Sequence, residues 1–220
     1  MNVSLKLAYI NAVTHHRGMT NTPPTPEHIA QNIADQGYCI VDNALPKHIY
    51  QGLHQRITKL PASAFTDMGI GRGASSYVDK SYRSDTACWL SGDGQAEQAY
   101  LSWMETLRLA VNQQLFMGLF NYEAHFAHYA PQSFYMRHMD AFKGQSNRKL
   151  TTVFYLNPNW DKNDGGELLI YQDHKSDTPL QRVVPHMNRL VVFLSDKFPH
   201  EVLPAQQDRY SIAGWFRLKA

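Results

Sequence analysis

Arg209-Tyr210-Ser211-Ile212-Ala213-Gly214-Trp215-Phe216 alternates with a strict period of two. In an extended chain Tyr210, Ile212, Gly214 and Phe216 share one face, and Arg209, Ser211, Ala213 and Trp215 share the other. An apolar face opposite a face of one arginine, one small hydroxyl and two space-defining residues reads as a strand lining an interior. Two readings of Arg209 fit this pattern. Either it points inward, where a guanidinium needs an anionic partner, or it sits at the exposed start of the strand in a rim ion pair.

The same period recurs upstream. Glu123–Tyr129, Phe134–Asp140, Leu150–Asn157, Glu167–Gln172, Leu180–Val184, Leu190–Leu194 and His200–Leu203 are short, rich in β-branched or aromatic residues, and separated by turn signals. Asn163-Asp164-Gly165-Gly166 reads as a tight reversal between two of them. Before residue 121 the period is helical. After an extended lead-in at 21–26, Thr25 caps and Pro26 opens a helix that Gly37 stops, and Tyr38–Val41 is a short strand. Pro46 opens a second helix through Leu60, with Ile49, Leu53 and Ile57 on one stripe. A third helix, roughly Gln95–Phe120, carries Leu101, Met104, Leu107, Val111, Leu115 and Leu119 at helical spacing. Eight short strands after a block of helices predict an α+β, mainly β fold: a double-stranded β-helix (jelly roll) buttressed by N-terminal helices. One domain over residues 1–220 is expected, with helical support and a loop in 1–120 and the jelly-roll core in 121–220.

Composition narrows the function classes. A chain of 220 residues with 43% hydrophobic and 18% charged residues is globular. A formal net charge of +2 makes no electrostatic case for nucleic acid or for a membrane surface. Cys39 and Cys88 are too few for a disulfide scaffold and point to a reducing compartment. Met1–Thr20 is interrupted by Lys6, Tyr9 and Asn11, so no signal-peptide core is expected there, and a soluble, cytoplasmic protein is. The polar stretch 61–82 contains Gly69-Ile70-Gly71-Arg72-Gly73, which lacks the preceding strand and the following Gly-Lys-Ser/Thr of a phosphate loop. It reads as a mobile loop or lid.

His138-Met139-Asp140, then His200, then Arg209, carry the chemistry. An imidazole and a carboxylate two residues apart share a strand face. A second His from a later strand completes two His and one carboxylate on one side of a metal, with the opposite positions open, as in non-haem Fe(II) oxygenases. Arg209 suits the far carboxylate of a dicarboxylate cosubstrate. Chance alone supplies on the order of one His-x-Asp pair in a chain of this composition, so an exposed His beside an Asp is the bland alternative. Tyr155 shares a face with Val153 and either bonds a ligand carboxylate or is a core tyrosine whose hydroxyl reaches the surface. His125, His128, His174 and His186 are rival ligands. His125 and His128 fall on opposite faces of one strand, and His174 lies in a polar loop, so each reads as structural or solvated.

Phe134-Tyr-Met-Arg-His-Met-Asp140, Arg148-Lys-Leu-Thr-Thr-Val-Phe-Tyr-Leu-Asn-Pro-Asn-Trp160, Gly165-Gly-Glu-Leu168, Ser195-Asp-Lys-Phe-Pro-His-Glu-Val-Leu-Pro204 and the last strand resemble the prolyl-hydroxylase branch of the Fe(II)/2-oxoglutarate-dependent dioxygenases. The similarity is to the hypoxia-inducible-factor prolyl hydroxylases and their bacterial relatives, and with Arg83-Ser-Asp85 and Trp89 it covers roughly residues 80–217. The resemblance implies iron on His138, Asp140 and His200, and 2-oxoglutarate held at its distal carboxylate by Arg209 and Tyr155. It places Tyr129 along the cosubstrate, Trp215 as a pocket wall and Arg148 near the substrate. It makes 61–82 the substrate loop, ordered by Arg83 and Asp85. It further implies O2 as oxidant, ascorbate as reductant and a protein substrate presenting a proline, such as elongation factor Tu. A monomer or weak dimer with no nucleic-acid or membrane partner is expected. Asp140 is present where halogenating relatives lack the carboxylate, which favours hydroxylation. The Tyr129–His138 segment is one residue shorter than in the animal enzymes, and substrate contacts from a C-terminal extension beyond Arg217 are expected to be absent. The alternatives are a hydroxylase of a small molecule or of a non-prolyl residue, and a non-catalytic metal-binding jelly roll.

Overall fold

A computed structural model of the chain describes residues 23–69, 77–141 and 146–219. The readings of Met1–Thr20, of residues 21–22 and of 70–76 lie outside those residues.

Helix α1 (Pro26–Gln36) starts and stops where its sequence dictates. The Thr25 hydroxyl accepts from the His28 N–H at 3.2 Å, and Gly37 ends the helix at φ 86°, a left-handed conformation open to glycine. Strand β1 (Tyr38–Val41) follows, then α2 (Lys47–Lys59), whose Ile49, Leu53 and Ile57 are buried as one stripe. Helix α3 (Gln95–Leu115) is shorter than its period predicts. Met104, Leu107 and Val111 are buried as expected, but the chain turns left-handed at Phe116 (φ 51°) and Gly118 (φ 67°). Asn112 then exchanges hydrogen bonds of 2.7 and 2.8 Å with the Leu119 backbone, so Leu119 is buried from a loop. Gly118 is the stop signal that the sequence offers. Among the described residues no helix is long and apolar enough to cross a membrane.

The remaining strands are β2 (Thr66–Asp67), β3 (Thr86–Trp89), β4 (Asn121–Tyr129), β5 (Tyr135–His138), β6 (Arg148–Tyr155), β7 (Leu168–Ile170), β8 (Gln181–Val183), β9 (Leu190–Leu194), β10 (His200–Val202) and β11 (Arg209–Arg217). They pair antiparallel in two sheets, of order β1-β9-β6-β11-β4-β3-β2 and β5-β10-β7-β8. The eight strands from β4 to β11 form the jelly roll, and β1, β3 and β2 widen the larger sheet. Strand β2 lies inside the stretch expected to be loop, and β3 follows it. Neither shows a period because each is too short, and β3 is fixed by pairing with β4 from Thr86↔His128 to Trp89↔His125. The Asn163–Gly166 turn is not a hairpin either. It carries the chain from β6 in one sheet to β7 in the other, through a 3-10 turn (Lys162–Asp164) capped by Asp161 and two glycines at φ 69°.

The larger sheet has a core on each face. Ile212, Phe216, Phe154 and Leu150 pack toward α1–α3. Tyr129, Tyr155, Val191 and Phe193 pack toward Ile170, Val183 and Val202 of the smaller sheet. The alternation of β11 therefore holds, with its apolar face on the helices and Arg209, Ser211, Ala213 and Trp215 lining the space between the sheets. Gly214 is required by close approach. A Cβ there would run into the Tyr122 hydroxyl and lie 2.9 Å from the Ala124 Cβ. That hydroxyl bonds to Thr152 Oγ1 at 2.7 Å and Tyr100 Oη at 3.0 Å. Gly214→Ala is expected to destabilise the protein by about 1–3 kcal/mol through overpacking, read as a lowered urea midpoint at unchanged slope.

Candidate active site

His138 is the last residue of β5, and His200 is its direct cross-strand partner in β10. Asp140 lies two residues past the end of β5. The expected shared strand face thus reduces to one strand residue and a carboxylate delivered by the turn after it. The ligand atoms of His138, Asp140 and His200 all lie within 4.8 Å of one another. The His138 Nε2 is 3.7 Å from Asp140 Oδ1, and the His200 Nε2 is 3.5 Å from Asp140 Oδ2. Each imidazole is oriented from behind: Nδ1 of His138 meets the Met136 carbonyl at 2.8 Å and Nδ1 of His200 the Phe198 carbonyl at 3.1 Å. A carbonyl only accepts, so each Nδ1 donates its proton there and each Nε2 is left facing Asp140, the orientation a metal requires.

Charge follows geometry. Burial, and then the neighbouring His200, lower the His138 pKa and keep its imidazole neutral. Burial alone would raise the Asp140 pKa. His200 and His138, with the Thr151 hydroxyl and the Trp215 indole, outweigh it and hold the carboxylate at about 2. Two imidazoles and one carboxylate are the donor set of an open-sided Fe(II) centre.

Arg209 is 1% exposed at the inner start of β11, which decides between its two readings. Its Nε donates to the Gly166 carbonyl at 2.8 Å, and its guanidinium lies 4.8 Å and 5.1 Å from the Tyr129 and Tyr155 ring centres. Among the described residues no carboxylate pairs with it. The Tyr155 hydroxyl beside it is buried and, among the described residues, has no hydrogen bond of normal geometry, so it does not reach the surface. Its pKa is raised by burial, so it remains a donor. A buried cation and an orphaned phenol fit a ligand carboxylate.

His138, Asp140, His200 and Arg209 share one cavity of about 1030 Å³. Arg83 and Asp85 form a buried bidentate pair at 2.7 and 2.6 Å, and Arg83 Nη1 donates to the Gly69 carbonyl at 3.4 Å, tying the start of the 61–82 stretch to the wall. The Arg83 guanidinium also sits 4.0 Å over Tyr135, whose ring stacks on His138 at 3.5 Å. Arg148 stands at the rim, bonded to Glu123 at 3.1 Å and 3.5 Å over Trp215. The iron-ligand, cosubstrate and substrate residues expected from sequence all line this cavity except Tyr155, which touches it through Arg209.

Three further residues escape sequence reasoning. Tyr135 carries only a core-aromatic signal, and Thr151 only a strand signal. His125, read from the sequence as structural or solvated, is structural: it is buried in the cavity wall between Trp89 and Trp215, with ring centres at 5.1 and 5.5 Å and, among the described residues, no partner for Nδ1. Its place on the Tyr129 face of β4, at even spacing from Ala127 and Tyr129, is the available signal. His128 points the other way, into a hydrogen bond with Asp208 at 2.7 Å.

Residues 124–217 match the 2OG-Fe(II) oxygenase superfamily. The chain is 31% identical over 199 residues to human prolyl hydroxylase EGLN3, covering 86% of this chain and 82% of that protein. It spans only 28% of a Caenorhabditis elegans hypoxia-inducible factor prolyl hydroxylase. Solved structures are similar as well. A Pseudomonas putida prolyl-4-hydroxylase has 35% identity and a TM-score of 0.78 over 89% of this chain and all of that one. A Trichoplax adhaerens prolyl hydroxylase, in complex with a hypoxia inducible factor peptide fragment, has 28% identity and a TM-score of 0.76 over 87% of this chain and 88% of that one.

Burial pushes the His125 pKa from 6.5 down to about 4. Between those values the unfolded chain binds a proton that the folded chain does not, so stability falls as pH drops through that window. From pH 7 to pH 5 this group costs about 2 kcal/mol. His125→Phe is expected to remove that part of the pH slope while His138 contributes equally to both proteins. Urea midpoints at the two pH values check it, and parallel slopes would refute it.

Proposed function

Because the chain belongs to the 2OG-Fe(II) oxygenase superfamily, among its prolyl hydroxylases, we propose that it hydroxylates a prolyl residue of a protein substrate. The observation that carries this reading is one cavity with a two-imidazole, one-carboxylate cluster on one side and an uncompensated buried arginine on the other.

In this reading His138, Asp140 and His200 hold Fe(II), while Arg209 and the Tyr155 hydroxyl grip the distal carboxylate of 2-oxoglutarate. Iron with that cosubstrate supplies dioxygen activation coupled to oxidative decarboxylation, giving succinate and CO2, and ascorbate keeps the metal reduced. The protein contributes arrangement. Carbonyls behind His138 and His200 hold each Nε2 toward Asp140, where these residues would bind the ion. Tyr129 lines the cosubstrate's path with its proton retained, since burial raises its pKa. Trp215 walls the cavity and excludes water beside Asp140. Arg83 and Asp85 anchor the loop start at Gly69, and Arg148 guards the rim where a substrate chain enters. A translation factor such as elongation factor Tu is the proposed substrate, supported by the resemblance to bacterial relatives. The Trichoplax relative bound to a peptide supports a protein in that role.

His138→Ala is expected to abolish succinate formation from 2-oxoglutarate. Arg209→Ala is expected to raise the KM for 2-oxoglutarate by roughly 30-fold or more, the cost of losing one member of a buried charge pair. Full turnover in either variant would sink the assignment. Incubation with elongation factor Tu, Fe(II), ascorbate and 2-oxoglutarate is expected to add one oxygen to a proline, mapped by mass spectrometry. Hydroxylation of a different protein alone would reassign the substrate.

A further inference from the structure

We infer that Thr151 and Ser195 form a buried hydroxyl relay whose work is to position the Asp140 carboxylate for the metal. The inference rests on reading His138, Asp140 and His200 as the metal site. Thr151 Oγ1 lies 2.7 Å from Asp140 Oδ2 and 2.9 Å from Ser195 Oγ. Thr151 is 2% exposed and Ser195 is not exposed at all, so water does not substitute for either contact.

The direction of the relay follows from hydrogen-bond inventory. An ionised carboxylate only accepts, so the single Thr151 proton goes to Asp140. Thr151 then has only lone pairs to offer Ser195, and the Ser195 proton must point to Thr151. The chain therefore runs one way, Ser195 to Thr151 to Asp140, and each hydroxyl has one allowed rotor. Charge-assisted bonds of this kind are the strong ones, and the neutral link behind polarises the donor further.

The backbone braces the same three residues. The Ser195 carbonyl accepts the N–H of Ala141, the residue after Asp140, at 3.2 Å, and the Ser195 N–H donates to the Lys149 carbonyl in β6 at 3.0 Å. Asp140 lies beyond the end of β5, so strand pairing does not fix its torsions. Ser195 grips the main chain just after it, and Thr151 grips one carboxylate oxygen. Together they prevent the carboxylate from rotating. Thr151 is in the larger sheet and the two imidazoles are in the smaller one, so the relay also sets how far the carboxylate stands from His138 and His200.

A purely structural role would stabilise the metal-free protein and leave metal affinity unchanged, which makes Co(II) affinity the discriminating readout. It is measured on the full chain by competition with a chromophoric chelator, without substrate or turnover, beside the melting temperature of the metal-free protein. Thr151→Val keeps the shape and removes the hydroxyl, and is expected to weaken Co(II) binding about 10–100-fold. Thr151→Ser restores the donor and is expected to stay within about threefold of the native value, and Ser195→Ala to lose roughly 2–10-fold, the worth of one neutral hydrogen bond. Native-like Co(II) affinity in Thr151→Val, with or without a lowered melting temperature, overturns the relay. Should Thr151→Val fail to fold, Ser195→Ala decides on the same readout, and unchanged affinity there overturns it. A native chain that binds no Co(II) refutes the metal site itself, a result separate from native binding with indifferent variants.

Discussion

The pairing register of β5 with β10 sets His200 directly opposite His138, and the chemistry of the molecule depends on that alignment. In an antiparallel sheet a slip of one residue sends a side chain to the other face. A slipped β10 would turn His200 out of the barrel and leave one imidazole beside Asp140. Several contacts oppose this. Strand β10 is clasped on its other edge by β7, with His200 opposite Ile170. The imidazole sits edge-on to Phe193 at 4.8 Å, and its Nδ1 is fixed by the Phe198 carbonyl. The pairing with β5 is itself irregular between His200 and Val202, which places Val202 opposite Tyr135 and keeps Tyr135 stacked on His138.

Around that register the labour is divided between sheets. The smaller sheet and the turn after it supply the three ligands. The larger supplies Arg209, Tyr155, Tyr129 and Trp215, all on the inner face of three neighbouring strands. The apolar layer between them, including Val191, Phe193, Ile170 and Val183, is therefore part of the active site without touching a reactant. Its close packing sets the spacing of the two halves. The helices have a simpler role. They cover the opposite face of the larger sheet and keep it a single stiff platform.

Where the sequence carries a period long enough to count, the fold is legible in it. The nine residues of β11 tell their own faces, and α1 announces both ends through Thr25 and Gly37. The metal cluster is readable because His138, Asp140 and His200 are chemically distinctive. What escapes reading has physical causes. Strands β2 and β3 are held by sheet pairing and carry too few residues to show alternation. The C-terminus of α3 is hard to place because Leu115 and Leu119 keep helical spacing while Phe116 and Gly118 break the helix between them. The sequence leaves His125 open between structural and solvated because its environment is made by Trp89 and Trp215, 36 residues before it and 90 after it in the chain. Thr151 and Ser195 are ordinary strand and turn residues until the fold brings them together.

Gly166 gives the cavity a property beyond affinity. It holds φ 69°, where only a residue without a Cβ sits easily, and a Cβ there would press within 3.1 Å of the Arg209 side chain. Its carbonyl pins the Arg209 Nε, so the guanidinium cannot swing to follow a ligand. The metal ligands are equally fixed on the facing sheet. Two immobile posts at a set separation act as a ruler. On the proposed reading, those posts would grip the two ends of the cosubstrate. The backbone of a glycine, with no chemistry of its own, thus sets where the cation of the pocket stands.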